Sequence, residues 1–176
     1  RNVAECIYTG IIHDTGVFKY SCTSKKTMEI AGEMMEKGID YSDIIDNTFY
    51  KKTYVQNQIL GRALLESVLF YDGKCIFTTV TIDEMEFYGV TGRELGGIVE
   101  QLRLTDGVEV AIFLYQTGEE EYKVSLRSKK KIDVAAIATQ FGGGGHVRAA
   151  GYTAKGSVYQ IINSIGELIE KQYNAM

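Results

Sequence analysis

The spacing of apolar residues changes near residue 68, and this change limits what the chain can fold into. Before it, apolar residues recur three and four positions apart, which predicts amphipathic helices. After it, short apolar runs and alternating runs dominate, which predicts strands. The sequence therefore predicts an α/β fold with a mixed sheet (an α+β arrangement), in which a helical part precedes a sheet flanked by helices.

The helical part is divided by residues that begin and end helices. A first helix is predicted to lead into a loop at His13–Gly16 and then a short extended segment around Val17–Tyr20. Ser24 and Asp40 each precede a run with helical spacing, and both residue types are favoured as N-caps. A helix over about 53–66 is predicted to connect this part to the sheet.

Two neighbouring strands are predicted in the second part. Val108–Tyr115 is apolar on both faces, which is typical of a central strand. In Glu121–Arg127 apolar and polar residues alternate, so Lys123, Ser125 and Arg127 are predicted to share one face. The strand is therefore predicted to have one apolar face and one polar face.

Four glycines, Gly142–Gly145, lie between a predicted helix capped by Asp133 and a predicted strand at Ala149–Ala154. Consecutive glycine N–H groups can converge on an anion with no Cβ atoms in the way, which predicts a phosphate-binding loop. The alternative is a flexible tether, although tethers are usually longer and richer in serine. His146 follows the glycines, and it either contacts a phosphate or transfers a proton there, or it caps the local backbone.

The basic residues are concentrated in the same part of the chain. Residues 123–155 contain seven Lys and Arg and a single acidic residue, whereas the whole chain has a net charge of −4. The overall charge argues against a protein that coats nucleic acid through bulk electrostatics. Arg127 is the candidate phosphate ligand because its planar guanidinium can bind a phosphate through two hydrogen bonds. Lys129–Lys131 is interpreted as a solvated strand end.

The cysteines and the hydropathy pattern suggest a cellular compartment. Cys6, Cys22 and Cys75 are widely spaced and match neither a zinc site nor a disulfide framework. No run of about 18 apolar residues could span a bilayer. We therefore expect a protein of the reducing cytoplasm without a membrane partner.

Asp14 is a candidate ligand for a hard cation, because a carboxylate in a turn suits such an ion. Asp-Thr-Gly at 14–16 also makes an ordinary Asx turn, so both interpretations stay open. A two-metal centre needs several carboxylate or histidine ligands, and the sequence shows no second ligand cluster.

Three segments together resemble the DHH phosphoesterase superfamily with a DHHA1 C-terminal domain. They are Gly10–Phe18, Lys123–Ser128 and Gly143–Gly151. The resemblance implies a two-metal Mn²⁺ site in which Asp14 is one ligand. It also implies a substrate phosphate held by the remaining candidates, which are Arg127, Gly143, Gly144, Gly145 and His146.

The Asp-His-His triplet that names the superfamily is absent from the sequence. The resemblance therefore implies a C-terminal portion of a longer enzyme: 1–52 from the DHH catalytic domain, 53–66 as the connecting helix, and 67–176 as the DHHA1 substrate-binding domain. The catalytic residues would then lie in the missing lobe, and we expect this chain to be inactive alone.

The resemblance implies a Mn-dependent enzyme that hydrolyses short oligoribonucleotides, 3′-phosphoadenosine 5′-phosphate, or both. The alternatives within the same class are a cyclic or linear dinucleotide phosphodiesterase and an exopolyphosphatase. From other classes, a module that binds nucleotides or RNA ends without catalysis and a structural domain without a ligand also stay open. The expected partners are short RNA or nucleotide phosphates, and a homodimer is left open as the assembly state.

Overall fold

The computed structural model describes residues 2–175. These residues form two compact units that divide between Thr53 and Tyr54. The assignment of 1–52, 53–66 and 67–176 to parts of a longer enzyme stays a prediction.

The first unit consists of helices. They are α1 (Asn2–Thr15), α2 (Lys25–Glu36), α3 (Tyr41–Ile45) and a π-helical segment (Asp46–Tyr50). The side chain of Ser24 accepts a hydrogen bond from the Thr27 N–H, and that of Asp40 accepts one from the Asp43 N–H. These contacts confirm both predicted N-caps. The buried side chains of this unit form a small core of Ala4, Tyr8, Ile12, Ala31 and Ile39.

Two predictions about the end of the first helix are wrong. α1 continues through Thr15, so His13 and Asp14 lie in its last turn rather than in a loop. Gly16, with a φ of 57°, ends the helix in the left-handed conformation that favours glycine. Val17–Tyr20 forms turns instead of an extended segment, because its first two residues have φ angles of 54° and 63°.

The second unit is built around a six-stranded sheet with the strand order β1-β2-β3-β4-β6-β5. β2 and β3 are parallel, and the other paired neighbours are antiparallel. The mixed sheet confirms the predicted fold class. In chain order its elements are α4 (Tyr54–Leu65), β1 (Val68–Phe70), β2 (Cys75–Val80), α5 (Ile82–Tyr88), α6 (Ile98–Arg103), β3 (Val110–Gly118), β4 (Glu121–Ser128), α7 (Val134–Gln140), β5 (Gly144–His146), β6 (Ala149–Lys155) and α8 (Val158–Asn174).

Helices cover both faces of this sheet. One core lies between the sheet and α7 and α8, and it takes Val110, Ile112 and Leu114 from β3. The other core lies between the sheet and α4, α5 and α6, and it takes Ala111 and Phe113 from the opposite face of the same strand. β3 is therefore buried on both faces, as the sequence predicts. None of the helices within residues 2–175 has the length and apolarity needed to cross a bilayer.

The predicted connecting helix is part of the second unit. The side chains of Ile59 and Ala63 in α4 are buried in the same core as Ile76 of β2. The buried Thr78 hydroxyl of β2 donates a hydrogen bond of 2.7 Å to the Ala63 carbonyl. α4 is thus anchored to the sheet by apolar packing and by a polar contact.

The three thiols differ in burial and are expected to differ in reactivity. Cys6 and Cys22 are exposed, whereas Cys75 is buried in β2. Burial, with a smaller contribution from the Glu109 carboxylate, raises the pKa of the Cys75 thiol to about 12. Because the thiolate is the reactive form, we expect Ellman's reagent to modify two thiols in the native protein and the third only after denaturation. Rapid modification of all three in the native state would contradict the described burial of Cys75.

Candidate functional site

The strand register aligns the predicted ligand residues in rows on one face of the sheet. Arg127 of β4 is opposite Ala149 of β6, which is opposite His146 of β5. In the next row Ser125 is opposite Gly151, which is opposite Gly144. Residues directly opposite each other in an antiparallel pair project to the same face. Arg127 and His146 therefore share a face, with their Cα atoms about 10 Å apart, because they are two strand spacings apart.

α6 packs on this face against β3 and β4. The residues of β6 and β5 that project to the same face are partly or fully exposed. We call this surface the open face, and it consists of Lys123, Ser125, Arg127, Gly144, His146, Ala149, Gly151 and Thr153. The sequence predicts the β4 part of it from the alternation, and β5 and β6 extend it.

The centre of the open face is shallow because its residues are small. Ser125, Gly151 and Gly144 form the middle row, with Arg127 and His146 on one side of it and Lys123 and Thr153 on the other. A Cβ atom on Gly151 would lie 2.8 Å from the Val124 carbonyl oxygen, so close strand packing requires glycine there. The result is a floor of small residues bordered by cationic and polar side chains, which suits an anion with several acceptor oxygens.

Arg127 is held by two contacts. Its Nε donates to Glu100 Oε1 of α6 at 2.5 Å, and its Nη1 donates to the Leu126 carbonyl at 3.0 Å. The side chain is 27% exposed. Both Nη2 protons and one Nη1 proton are left after these two bonds, because a guanidinium has five N–H donors.

Glu100 also binds a second arginine. Arg103 Nε donates to Glu100 Oε2 at 3.0 Å, and Arg103 Nη2 lies 3.0 Å from the same oxygen. Burial raises the pKa of Glu100, but the hydrogen bonds and charges of Arg127 and Arg103 outweigh it and hold the pKa below its ordinary value. Glu100 is therefore ionised at neutral pH. Glu100 is not among the site residues predicted from the sequence: its i, i+3 spacing points to Arg103, but no local pattern points to Arg127.

The predicted four-glycine loop is wrong for the second half of the run, because Gly144 and Gly145 belong to a strand. The Gly142 N–H donates to Thr139 O and the Gly143 N–H donates to Ala138 O, and these two bonds end α7. Gly144–His146 then forms the edge strand β5. The N–H groups of the first two glycines are thus used by the helix, which leaves those of Gly144 and Gly145 in β5.

The pairing pattern shows which backbone groups of β5 are free to reach a ligand. The Ser128 N–H donates to the carbonyl of Arg148, the residue before β6. Backbone groups along a strand point alternately to its two sides, so Arg148 and Ala150 direct theirs toward β4. Ala149 and Gly151 then direct theirs toward His146 and Gly144. The N–H and C=O of Gly145 consequently point off the open edge of the sheet.

Other basic residues of the segment have structural contacts. Lys129 Nζ donates to Thr105 O at 2.8 Å, and Arg148 Nη1 donates to Ile132 O at 2.8 Å. Lys130 and Lys131 have exposed side chains, which agrees with their interpretation as a solvated strand end, and their backbone N–H groups donate to Glu109 Oε1. Lys129 and Arg148 are therefore held by backbone carbonyls, and Glu109 is the acidic residue that contacts the lysine run.

Asp14 lies apart from any cluster of metal ligands. It is exposed in the last turn of α1, and the neighbouring His13 ring lies 5.7 Å from the ring of Phe49. In the described part of the chain, no group of three or more His, Cys, Asp or Glu side chains is arranged to hold a metal ion. These residues do not fit a two-metal centre by themselves.

Comparisons with known proteins place these features in a family. The model of the DHHA1 domain matches residues 72–172, which is more than half of the chain. A protein of Thermus thermophilus named bifunctional oligoribonuclease and PAP phosphatase NrnA is 33% identical over 155 residues, covering 88% of this chain and 45% of that protein. The protein of the same name from Bacillus subtilis is 28% identical over 148 residues, covering 84% of this chain and 46% of that protein.

A solved structure has the same fold. It is named an exopolyphosphatase-related protein from Bacteroides fragilis, and it matches with a TM-score of 0.88 and 28% identity over 96% of this chain and 49% of that one. The chain thus spans about half of the length of each of these relatives. Because the DHHA1 model matches residues 72–172, which contain most of the mixed sheet, the chain belongs to the DHHA1 domain family.

Proposed function

We propose that the open face binds a phosphate of a nucleotide or short oligoribonucleotide, as the substrate-binding part of a longer phosphoesterase. The observation that carries this proposal is the alignment of Arg127 and His146 beside the row of Ser125, Gly151 and Gly144. In this proposal a phosphate rests over the small residues and accepts hydrogen bonds from the Arg127 guanidinium and the His146 ring. Glycine at 144 leaves room for the phosphate oxygens.

The names of two relatives support the class of substrate. The proteins from Thermus thermophilus and Bacillus subtilis are named oligoribonuclease and PAP phosphatase. Both named substrates contain phosphate groups esterified to nucleosides. We therefore propose short RNA and 3′-phosphoadenosine 5′-phosphate as substrates of the whole protein. An exopolyphosphatase activity is the second candidate, because the Bacteroides fragilis structure bears a related name.

Mn²⁺ dependence is part of the proposal for the whole protein. The ion would supply Lewis-acid activation of water and phosphate. Asp14 would contribute one ligand. The other ligands would come from a part of the whole protein that corresponds to the half of the longer relatives that this chain does not match. We accordingly expect no turnover from this chain alone. The homodimer and the cytoplasmic location stay predictions.

The test is a calorimetric titration of the chain with AMP, adenosine, 3′-phosphoadenosine 5′-phosphate, a labelled RNA dinucleotide and tripolyphosphate, with and without Mn²⁺. We expect the phosphorylated nucleosides to bind more tightly than adenosine, independently of Mn²⁺, with no release of phosphate or mononucleotide. Equal binding of AMP and adenosine, or no binding of either, would contradict the proposed site. Tripolyphosphate binding more tightly than AMP would favour the second candidate.

A further inference from the structure

The cross-strand neighbours of Arg127 do little to orient its side chain. Its cross-strand partners are the buried Ala111 of β3 and the partly exposed Ala149 of β6. Two methyl groups place almost no steric limit on a long, flexible side chain, and arginine loses considerable rotamer freedom when it is fixed. Contacts other than these two methyl groups are needed to hold the guanidinium in one orientation.

Glu100 supplies that contact from α6. Its Oε1 accepts from Arg127 Nε at 2.5 Å, while the Leu126 carbonyl accepts from Arg127 Nη1 at 3.0 Å. The two acceptors hold two of the three guanidinium nitrogens. The remaining donors, both protons of Nη2 and one of Nη1, are then presented together from a fixed plane, which is the arrangement that a phosphate accepts through two bonds.

The acidic charge of Glu100 would by itself repel a phosphate. It is balanced, because Arg103 donates to the other carboxylate oxygen at 3.0 Å. The cluster of one carboxylate and two guanidinium groups has a net charge of +1. Glu100 can therefore hold Arg127 without cancelling the attraction of the open face for an anion.

We propose that Glu100 is a positioning residue, which together with Arg103 holds the Arg127 guanidinium so that its free edge meets the substrate phosphate. This role rests on the proposed function of the open face. It predicts that removal of Glu100 weakens the binding of a phosphate. On electrostatic grounds alone, removal of an acidic residue near an anion site would strengthen that binding.

The experiment measures AMP and adenosine binding by calorimetry for the wild-type chain and for Glu100→Ala, Glu100→Gln and Glu86→Ala. We expect Glu100→Ala to weaken AMP binding about tenfold, because Arg127 must then be ordered by the ligand. Glu100→Gln keeps an acceptor oxygen for Arg127 Nε, so it should restore most of the affinity. Glu86 is exposed on α5 and serves as the charge-matched control, with unchanged or slightly tighter AMP binding. Adenosine binding should be the same in all four proteins.

A ligand-independent measurement separates the possible failures. We expect the Arg127 Nε–H resonance, assigned by its loss in Arg127→Lys, to be ordered and slow to exchange in the wild type and disordered in Glu100→Ala. A wild type that prefers AMP, with Glu100→Ala binding AMP equally or more tightly, would overturn the positioning role alone. A wild type with no preference for AMP over adenosine would overturn the proposed function, and the positioning role with it.

Discussion

Replacement of Arg127 by alanine is expected to weaken AMP binding by about 10- to 100-fold and to leave adenosine binding unchanged. A charge-assisted contact contributes about 1.5–3 kcal/mol in total, and the planar guanidinium of Arg127 is suited to make such a contact with one phosphate. The variant should fold, because Glu100 keeps Arg103 as its partner. Calorimetric titration with AMP and adenosine measures the difference.

Three matched variants test the interpretation of this result. Lys130→Ala removes one positive charge from an exposed side chain in the segment that follows β4, so it should leave AMP affinity nearly unchanged. Arg127→Lys keeps the charge but not the planar fork, and it should restore part of the affinity. Asp14→Ala should have no effect on binding. If Asp14→Ala weakened AMP binding as much as Arg127→Ala, the proposed separation of the metal ligand from the phosphate site would be wrong.

Local patterns in the sequence predicted individual elements well. The alternation in Glu121–Arg127 correctly placed Lys123, Ser125 and Arg127 on one face, because side-chain direction in a strand has a period of two. The N-caps of α2 and α3, Ser24 and Asp40, were likewise predicted, since a capping contact reaches only three residues along the chain. Each of these predictions depends on neighbours in sequence.

The composition of the open face depends on contacts that are distant in sequence. Arg127 and His146 share a face with β6 between their strands, and this order follows from the pairing of the whole sheet. Glu100 binds Arg127 across 27 positions, a distance that no local pattern reports. Glycine permits both an anion-binding loop without Cβ atoms and the close packing of strands. The sequence does not distinguish these two uses, and the glycine run was interpreted as a loop.

Replacement by alanine is expected to lower the stability of the protein strongly at Gly143 and very little at the adjacent Gly144. A Cβ atom on Gly143 would lie 2.3 Å from the Gly151 carbonyl oxygen and 2.4 Å from Tyr152 Cβ. Tyr152 is 6% exposed within the core beneath α7 and α8, so neither atom can move without displacing β6. We expect Gly143→Ala to lower the free energy of unfolding by about 2–3 kcal/mol, as a shift in the midpoint of urea denaturation.

Gly144→Ala is the matched control for stability, because a Cβ atom there meets no heavy atom within 4 Å. Its free energy of unfolding should change by less than about 0.5 kcal/mol. The added methyl group projects onto the open face beside Gly151, where the phosphate is proposed to rest, so AMP binding should weaken although the fold is intact. Equal denaturation midpoints for the two variants would contradict the described packing of Gly143 against β6. A ligand over Gly144 cannot avoid the new methyl group. Unchanged AMP binding by Gly144→Ala would therefore mean that the phosphate does not bind over the row of Ser125, Gly151 and Gly144.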